Sequence, residues 1–283
     1  MRTMISTVGA LAALVIGGAA AADCASDEAV AAFTADYLAG TPTKALAVDA
    51  SMEDALCSQA KVVAALIPHL GPVIGYKAGL TSAPAQAAFG VSEPVRGVLY
   101  RDMMLADGAE VPEAWGARPV FEADLILVVG DAGINAATTP DEVMQHVSEI
   151  RPFIELPDLT YAEGEPLTGA TITAMGVAPK LGVLGAPIAV SDPAAMTAAL
   201  ADMTVTLRAA DGEVLAQVPG KAVMGHPANS VLWLMSKGVE MKPGDLISVG
   251  SFGPLVPPAK GKGGATVSYQ GLPSDPGVSV VFK

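Results

Sequence analysis

Apolar and polar positions fall into two textures along the chain. "SDEAVAAFTADYLAG" (26–40) and "SMEDALCSQAKVVAALIPHLG" (51–71) read as helices. Ser26 and Ser51 stand at N-cap positions, acidic residues fill the first turns, and Gly40 on one side, Pro68 and Gly71 on the other, close them. From Val73 the apolar runs shorten and sit between glycines and prolines: "VIGYKAGLTS", "RGVLYRDMML", "FEADLILVVG", "KLGVLGAPI", "MTVTLRAADGEVL", "GDLISVGSFG" and "GVSVVFK". These read as strands, with "RAADGEVL" a hairpin signal at Asp211-Gly212. Two helical stretches interrupt them. "TPDEVMQHVSEI" is capped by Thr139 with Pro140 first in the helix, and "HPANSVLWLMSKG" ends at Lys237 and Gly238.

The expected fold is therefore α+β, a helical segment over 23–72 packed on a larger mixed-sheet domain over 73–283. Within it, "FEADLILVVG" (121–130) is anomalous. On a strand Glu122, Asp124, Ile126 and Val128 share one face while Phe121, Ala123, Leu125, Leu127 and Val129 share the other. Both faces are apolar enough to be buried, yet one carries two carboxylates about 7 Å apart. Such a pair needs a positive charge between its members.

Composition narrows the setting. Of 283 residues, 51% are hydrophobic and 16% charged, which excludes a disordered chain. The start, "MRTMISTVGALAALVIGGAAAADC", has an early Arg2, an apolar run shorter than the ~20 residues of a spanning helix, and small residues at Ala20-Ala21-Ala22. It reads as a secretory signal peptide over 1–22, an uncleaved anchor being the alternative, and predicts a periplasmic protein. Cleavage would remove Arg2 alone, leaving 15 Lys and Arg against 29 Asp and Glu, a net charge of about −14. A chain so acidic is not expected to bind nucleic acid or anionic membrane. The two cysteines, Cys24 and Cys57, are expected to pair in an exported protein; one buried and one frayed thiol is the alternative.

Candidate chemistry is sparse. Glu155 in "RPFIELPDL" adds a third carboxylate among apolar neighbours, and three carboxylates suit Mg²⁺ or Mn²⁺ better than Zn²⁺. Solvated carboxylates on an edge strand are the alternative. Lys77 in "GYKAGLTS" and Asp102 in "YRDMM" are polar groups in strand-like runs and could equally be ordinary surface residues. Gly225 and His226 open a helix whose free N–H groups could receive a carboxylate, or His226 could simply cap it. The chain lacks a Ser-His-Asp order, a phosphate loop and a Cys/His cluster.

Together "GYKAGLTS", "RGVLYRDMM", "FEADLILVV", "FIEL", "GHPANSVLWL" and "GDLISVGSFGP" stand in the order and spacing of one family. From about Ala32 onward the chain resembles the 2-keto-4-pentenoate hydratase and 4-oxalocrotonate decarboxylase branch of the fumarylacetoacetate hydrolase superfamily. The resemblance implies a mixed β-sheet, β-roll core and a Mg²⁺ or Mn²⁺ ion on Glu122, Asp124 and Glu155. It implies a 2-oxo or 2-hydroxydienoic acid chelating that ion, Lys77 neutralising the substrate, and Asp102 shuttling a proton. It also places Gly225, His226 and Ala178 at the substrate.

Two departures stand out. Asp124 replaces the second glutamate of the family's E-x-E, and "AMGVAP" puts Ala178 where the family carries a serine. Lys77 and Asp102 point to an enzyme, a hydratase or a decarboxylase; Ala178 and export point to a non-catalytic periplasmic binder of 2-oxo acids. A homo-oligomer fits an apolar chain of this kind.

Overall fold

The computed structural model describes residues 23–283; the signal peptide read over 1–22 lies outside the described residues. Helices α1 (Asp27–Ala39) and α2 (Met52–Leu70) come first, followed by strand β1 (Val73–Gly79), the short helix α3 (Ala83–Ala88), β2 (Val95–Tyr100), β3 (Met104–Ala106) and β4 (Ala109–Val111). The middle holds β5 (Glu122–Val129), α4 (Pro140–Gln145), β6 (Val147–Leu156), α5 (Gly169–Ala174), β7 (Leu181–Leu184), β8 (Ile188–Ala189) and α6 (Pro193–Asp202). The hairpin β9 (Thr204–Ala209) and β10 (Val214–Pro219), α7 (Asn229–Ser236), β11 (Leu246–Ser248), β12 (Gly264–Gln270) and β13 (Gly277–Phe282) complete the chain.

Local signals place the early helices. Ser26 accepts from the Ala29 amide, and Ser51 and Asp54 form a reciprocal capping box that satisfies two otherwise orphaned donors. Pro68 does not end α2, which runs on to Leu70: only its last turn follows, so little hydrogen bonding is lost. The helix expected through "VSEI" stops at Gln145, and Val147 onward is strand, because β5 and β8 offer it partners on both edges.

One mixed sheet runs β2-β1-β11-β5-β6-β7-β3, with β8 beside β6; a second runs β10-β9-β12-β13-β4. The pairs β1–β11, β3–β7 and β13–β4 are parallel and the others antiparallel. Leu125, Leu127 and Ile154 of the first sheet pack with Val205, Leu207, Val267 and Val280 of the second. On its opposite face, Ile126 and Phe153 pack with Phe33, Tyr37, Leu66 and Ile172 beneath the helices. The central strand β5 is thus covered on both sides, which is why neither of its faces reads as polar.

Cys24 and Cys57 are bonded, with Cα atoms 5.3 Å apart, and tie the segment before α1 to the middle of α2. Closing a span of 33 residues restrains the unfolded chain, so Cys57→Ser should cost on the order of 3–4 kcal/mol in urea unfolding. Two alkylatable thiols in unreduced, denatured protein produced in an oxidising compartment would refute the pairing.

Candidate active site

The register of three strands assembles the charged cluster. Glu122 of β5 stands directly opposite Glu155 of β6, and Asp124 lies two residues along on the same face. On β11, Ser248 lies between Lys77 of β1 and Ile126 of β5. Lys77 and Glu155 form an ion pair with 3% and 1% of their residue surfaces exposed, and Asp124 is fully buried. One lysine among three buried carboxylates leaves an excess of negative charge. The consequence is visible in the proton affinities. Burial, then the charge of Glu155, holds the Glu122 carboxyl well above its ordinary range, with Lys77 opposing. The same two causes push Asp124 up to about 7, opposed by the Ser248 hydroxyl.

Asp124 is enclosed by protein donors. Its Oδ1 accepts from the amides of Leu125 and Gly250, the latter at 3.0 Å, and its Oδ2 accepts from the Ser248 hydroxyl. Gly250 sits at φ 106°, and a Cβ there would come within 2.5 Å of Thr81 Oγ1, so only glycine lets this loop approach.

The other partner of Lys77 is a backbone carbonyl. Helix α5 ends in a Schellman turn: Val177 N donates to Ile172 O at 2.8 Å and Gly176 N to Thr173 O at 2.9 Å. The chain then continues in the left-handed region at Val177 (φ 64°) and Ala178 (φ 54°). For a β-branched residue this is an outlier that stores on the order of 1–3 kcal/mol. It turns Val177 O onto Lys77 Nζ at 2.9 Å. Gly97 makes room, since a Cβ there would meet Gly176 O at 2.4 Å.

The cluster closes one end of a cavity of about 560 Å³. Lys77, Glu122, Glu155, Thr81, Ser82 and Ser251 supply its polar side chains; Leu80, Phe89, Leu159, Ile172 and Leu255 supply apolar wall. Val177 and Ala178 line it too, whereas Asp124 stands behind it. Among the described residues, no three His, Cys, Asp or Glu side chains converge as a ready-made metal cage. The donor chemistry nevertheless fits a hard divalent cation: Glu122 and Glu155 offer carboxylate oxygens to the cavity, and the single Lys77 ammonium leaves the three-carboxylate cluster short of positive charge. The fit is to two carboxylates with Asp124 behind them, its oxygens already engaged.

The structure brings Lys77, Glu122, Asp124, Glu155 and Ala178 together, and leaves the other residues read from the sequence elsewhere. Asp102 is half exposed, its carboxyl held below the usual range by the Arg101 guanidinium 2.7 Å away. Lys77 pairs with Gly97 while Tyr100 pairs with Val73, so Asp102 lies beyond the far end of β1, on the order of 13 Å along the strand. It lines no part of the cavity. His226 is satisfied within the fold: Nδ1 accepts from Ala228 N and Nε2 donates to Thr197 O, both at 3.0 Å. Its ring braces the turn that leads into α7, without capping the helix itself, whose N-cap is Ala228. Gly225 forms the left-handed turn before it (φ 80°) and does not reach the cavity.

Sequence reasoning missed Ser248, Ser251 and the Val177 carbonyl. The turn carried a readable signal, a glycine after a helix with Pro179 close behind, but a carbonyl's direction leaves no mark in a sequence.

The fumarylacetoacetate (FAA) hydrolase C-terminal family model matches residues 78–271. Over 189 residues the chain is 33% identical to a 2-keto-4-pentenoate hydratase of Paraburkholderia xenovorans (strain LB400), covering 65% of this chain and 68% of that one. Over 240 residues it is 28% identical to 2-keto-4-pentenoate hydratase 1 of Dechloromonas aromatica (strain RCB), covering 82% and 89%. The 4-oxalocrotonate decarboxylase from Pseudomonas putida G7, complexed with magnesium and adipate, superposes with a TM-score of 0.75 over 91% of this chain and 98% of its own. At 23% identity, that likeness is one of fold. A mixed sheet behind an N-terminal helical segment and a match over most of the chain lead to one conclusion: the protein belongs to the fumarylacetoacetate hydrolase superfamily, close to its 2-keto-4-pentenoate hydratase and 4-oxalocrotonate decarboxylase branch.

Proposed function

We propose that this lyase-type enzyme is an exported, metal-dependent hydratase acting on a small 2-oxo or 2-hydroxydienoic acid. The observation that carries the reading is Lys77 beside Glu122 and Glu155 at the polar end of a cavity whose walls are otherwise mainly apolar. Hydration is preferred to decarboxylation because the sequence relatives quoted above are hydratases, whereas the likeness to the decarboxylase is one of fold. The Cys24–Cys57 bond supports export, since such bonds persist in oxidising compartments.

Glu122 and Glu155 would hold Mg²⁺ or Mn²⁺, with Asp124 supporting them from behind. When bound, the ion would supply Lewis-acid stabilisation of negative charge on the 2-oxygen. The chain's own groups do the remainder. An ammonium has three N–H donors, and Glu155 and Val177 O occupy two on Lys77. The third is free to meet the substrate carboxylate or 2-oxygen. Lys77 is also the cationic proton carrier lining the cavity among the described residues, so the proton transfers of ketonisation fall to it or to water it orients. The apolar wall limits competing water, and the Ser251 hydroxyl, which donates to Gly253 O at 2.8 Å, lines the cavity beside the carboxylates.

The protein supplied with Mg²⁺ or Mn²⁺ should accelerate the loss of ultraviolet absorbance of 2-hydroxypenta-2,4-dienoate. Asp102→Asn should stay within about twofold of that rate, as expected of a surface change remote from the cavity. Absence of acceleration with several dienoates counts against the hydratase, and a collapse of rate in Asp102→Asn would return that residue to the chemistry.

A further inference from the structure

The cavity's far wall bears on which acid it takes. Its volume of about 560 Å³ lies within the ~300–1,000 Å³ that accommodates drug-sized ligands. A five-carbon dienoate has eight non-hydrogen atoms; at the ~30 Å³ that one water occupies in the liquid, it would fill about 240 Å³, less than half. Apart from the charged cluster, the lining is mainly apolar, with Leu80, Phe89, Leu159, Ile172, Val218 and Leu255 outnumbering the hydroxyls of Thr81, Ser82 and Ser251. Among the described residues Lys77 is the only cation lining the cavity, and it stands at the carboxylate end. Lys180, next in sequence but one to the lining residue Ala178, spends its ammonium on Tyr37 O at 2.7 Å. Lys221, adjacent to Ala222, does not line the space. A second carboxylate placed there would meet at most the hydroxyls of Thr81, Ser82 and Ser251 and no second cation, in a chain whose net charge is already −13.

We infer that the site selects monocarboxylic 2-oxo or 2-hydroxydienoic acids carrying an apolar tail longer than a vinyl group, and rejects dicarboxylic ones. This rests on the proposed function, because it takes Lys77 and the carboxylate cluster as the place where the shared 2-oxo acid end binds. Ala178 belongs to the same design: where a hydroxyl would offer a polar contact, the wall presents a methyl group.

The test is calorimetric titration of the Mn²⁺-supplied protein with 2-oxopentanoate, 2-oxohexanoate, 2-oxooctanoate and 2-oxoadipate. Each buried methylene is worth roughly fourfold in affinity. 2-Oxooctanoate should therefore bind more than tenfold tighter than 2-oxopentanoate. 2-Oxoadipate, which has the backbone length of 2-oxohexanoate, should bind at least tenfold more weakly than it. Leu255 lines the cavity yet is 39% exposed, so an arginine introduced there can stay hydrated, and Leu255→Arg should narrow or reverse the preference for 2-oxohexanoate over 2-oxoadipate. Equal or tighter binding of 2-oxoadipate by the natural sequence, or affinity independent of chain length, overturns the tail specificity while leaving the 2-oxo acid site standing. If none of the four acids binds, the proposed function itself falls, and this inference with it.

Discussion

Replacing Lys77 by Met should destabilise the protein by about 3–5 kcal/mol near neutral pH, because it strands a buried carboxylate. The lysine and Glu155 are both almost fully enclosed, and their ion pair is the strongest compensation the cluster has. With the ammonium gone, Glu155 must take up a proton or draw water through the cavity. Lowering the pH neutralises the stranded group, so the deficit measured by urea unfolding should shrink on acidification. Glu155→Gln in the Lys77→Met background should recover most of the loss, since no unpaired charge then remains. Turnover should drop by about 10²–10⁴-fold in both variants, the range expected when an acid–base group is removed. A single variant as stable as the parent at pH 7.5 would show that the pair contributes nothing to the fold.

The second large effect is the coupling of stability to pH and to divalent metal. Glu122 and Asp124 are both held above their ordinary values, Asp124 at about 7 against 3.8 for a free side chain. Between those limits the folded protein retains a proton that the unfolded chain has released. That contribution is complete below about pH 4 and is lost as the pH rises through 7. In EDTA, unfolding free energy should therefore fall between pH 5 and 7 by a few kcal/mol. Lowered surface carboxylates such as Asp54 in its capping box titrate below that window.

Mn²⁺ favours the ionised carboxylates, so it should flatten this slope and add about 2.7 kcal/mol at a hundredfold excess over its Kd. Glu122→Ala should remove the gain. An unfolding midpoint indifferent to Mn²⁺ and Mg²⁺, or a full gain surviving in Glu122→Ala, would defeat the metal assignment.

How much of this could be read from residues alone varies by element. Helices α1 and α2 were legible because their signals are local: Ser26, Ser51 and Asp54 cap their own backbones whatever packs against them. The hairpin β9–β10 was legible for the same reason, its Asp-Gly turn setting the reversal. Strands β6 and β12 were not. "IRPFIEL" and "GATVSYQ" acquire their identity from partners far along the chain, Glu155 from Glu122 and Val267 from Leu207. The helix α6 was also missed, since its alanine-rich run carries little periodicity.

The same division runs through the site. The motifs and their order determined the family, and the polar anomaly of "FEADLILVVG" pointed to the buried carboxylates before any fold was in hand. Residue identity also determined the charge imbalance, because three carboxylates and one lysine in an apolar setting repel in any arrangement. What only the tertiary structure decided is which groups meet. Strand register set Glu122 against Glu155, a helix-ending turn aimed Val177 O at Lys77, and chain direction carried Asp102 past the end of β1, away from the cavity. Such facts depend on distances between residues far apart along the chain, which strand pairing and side-chain packing fix together and no local pattern encodes.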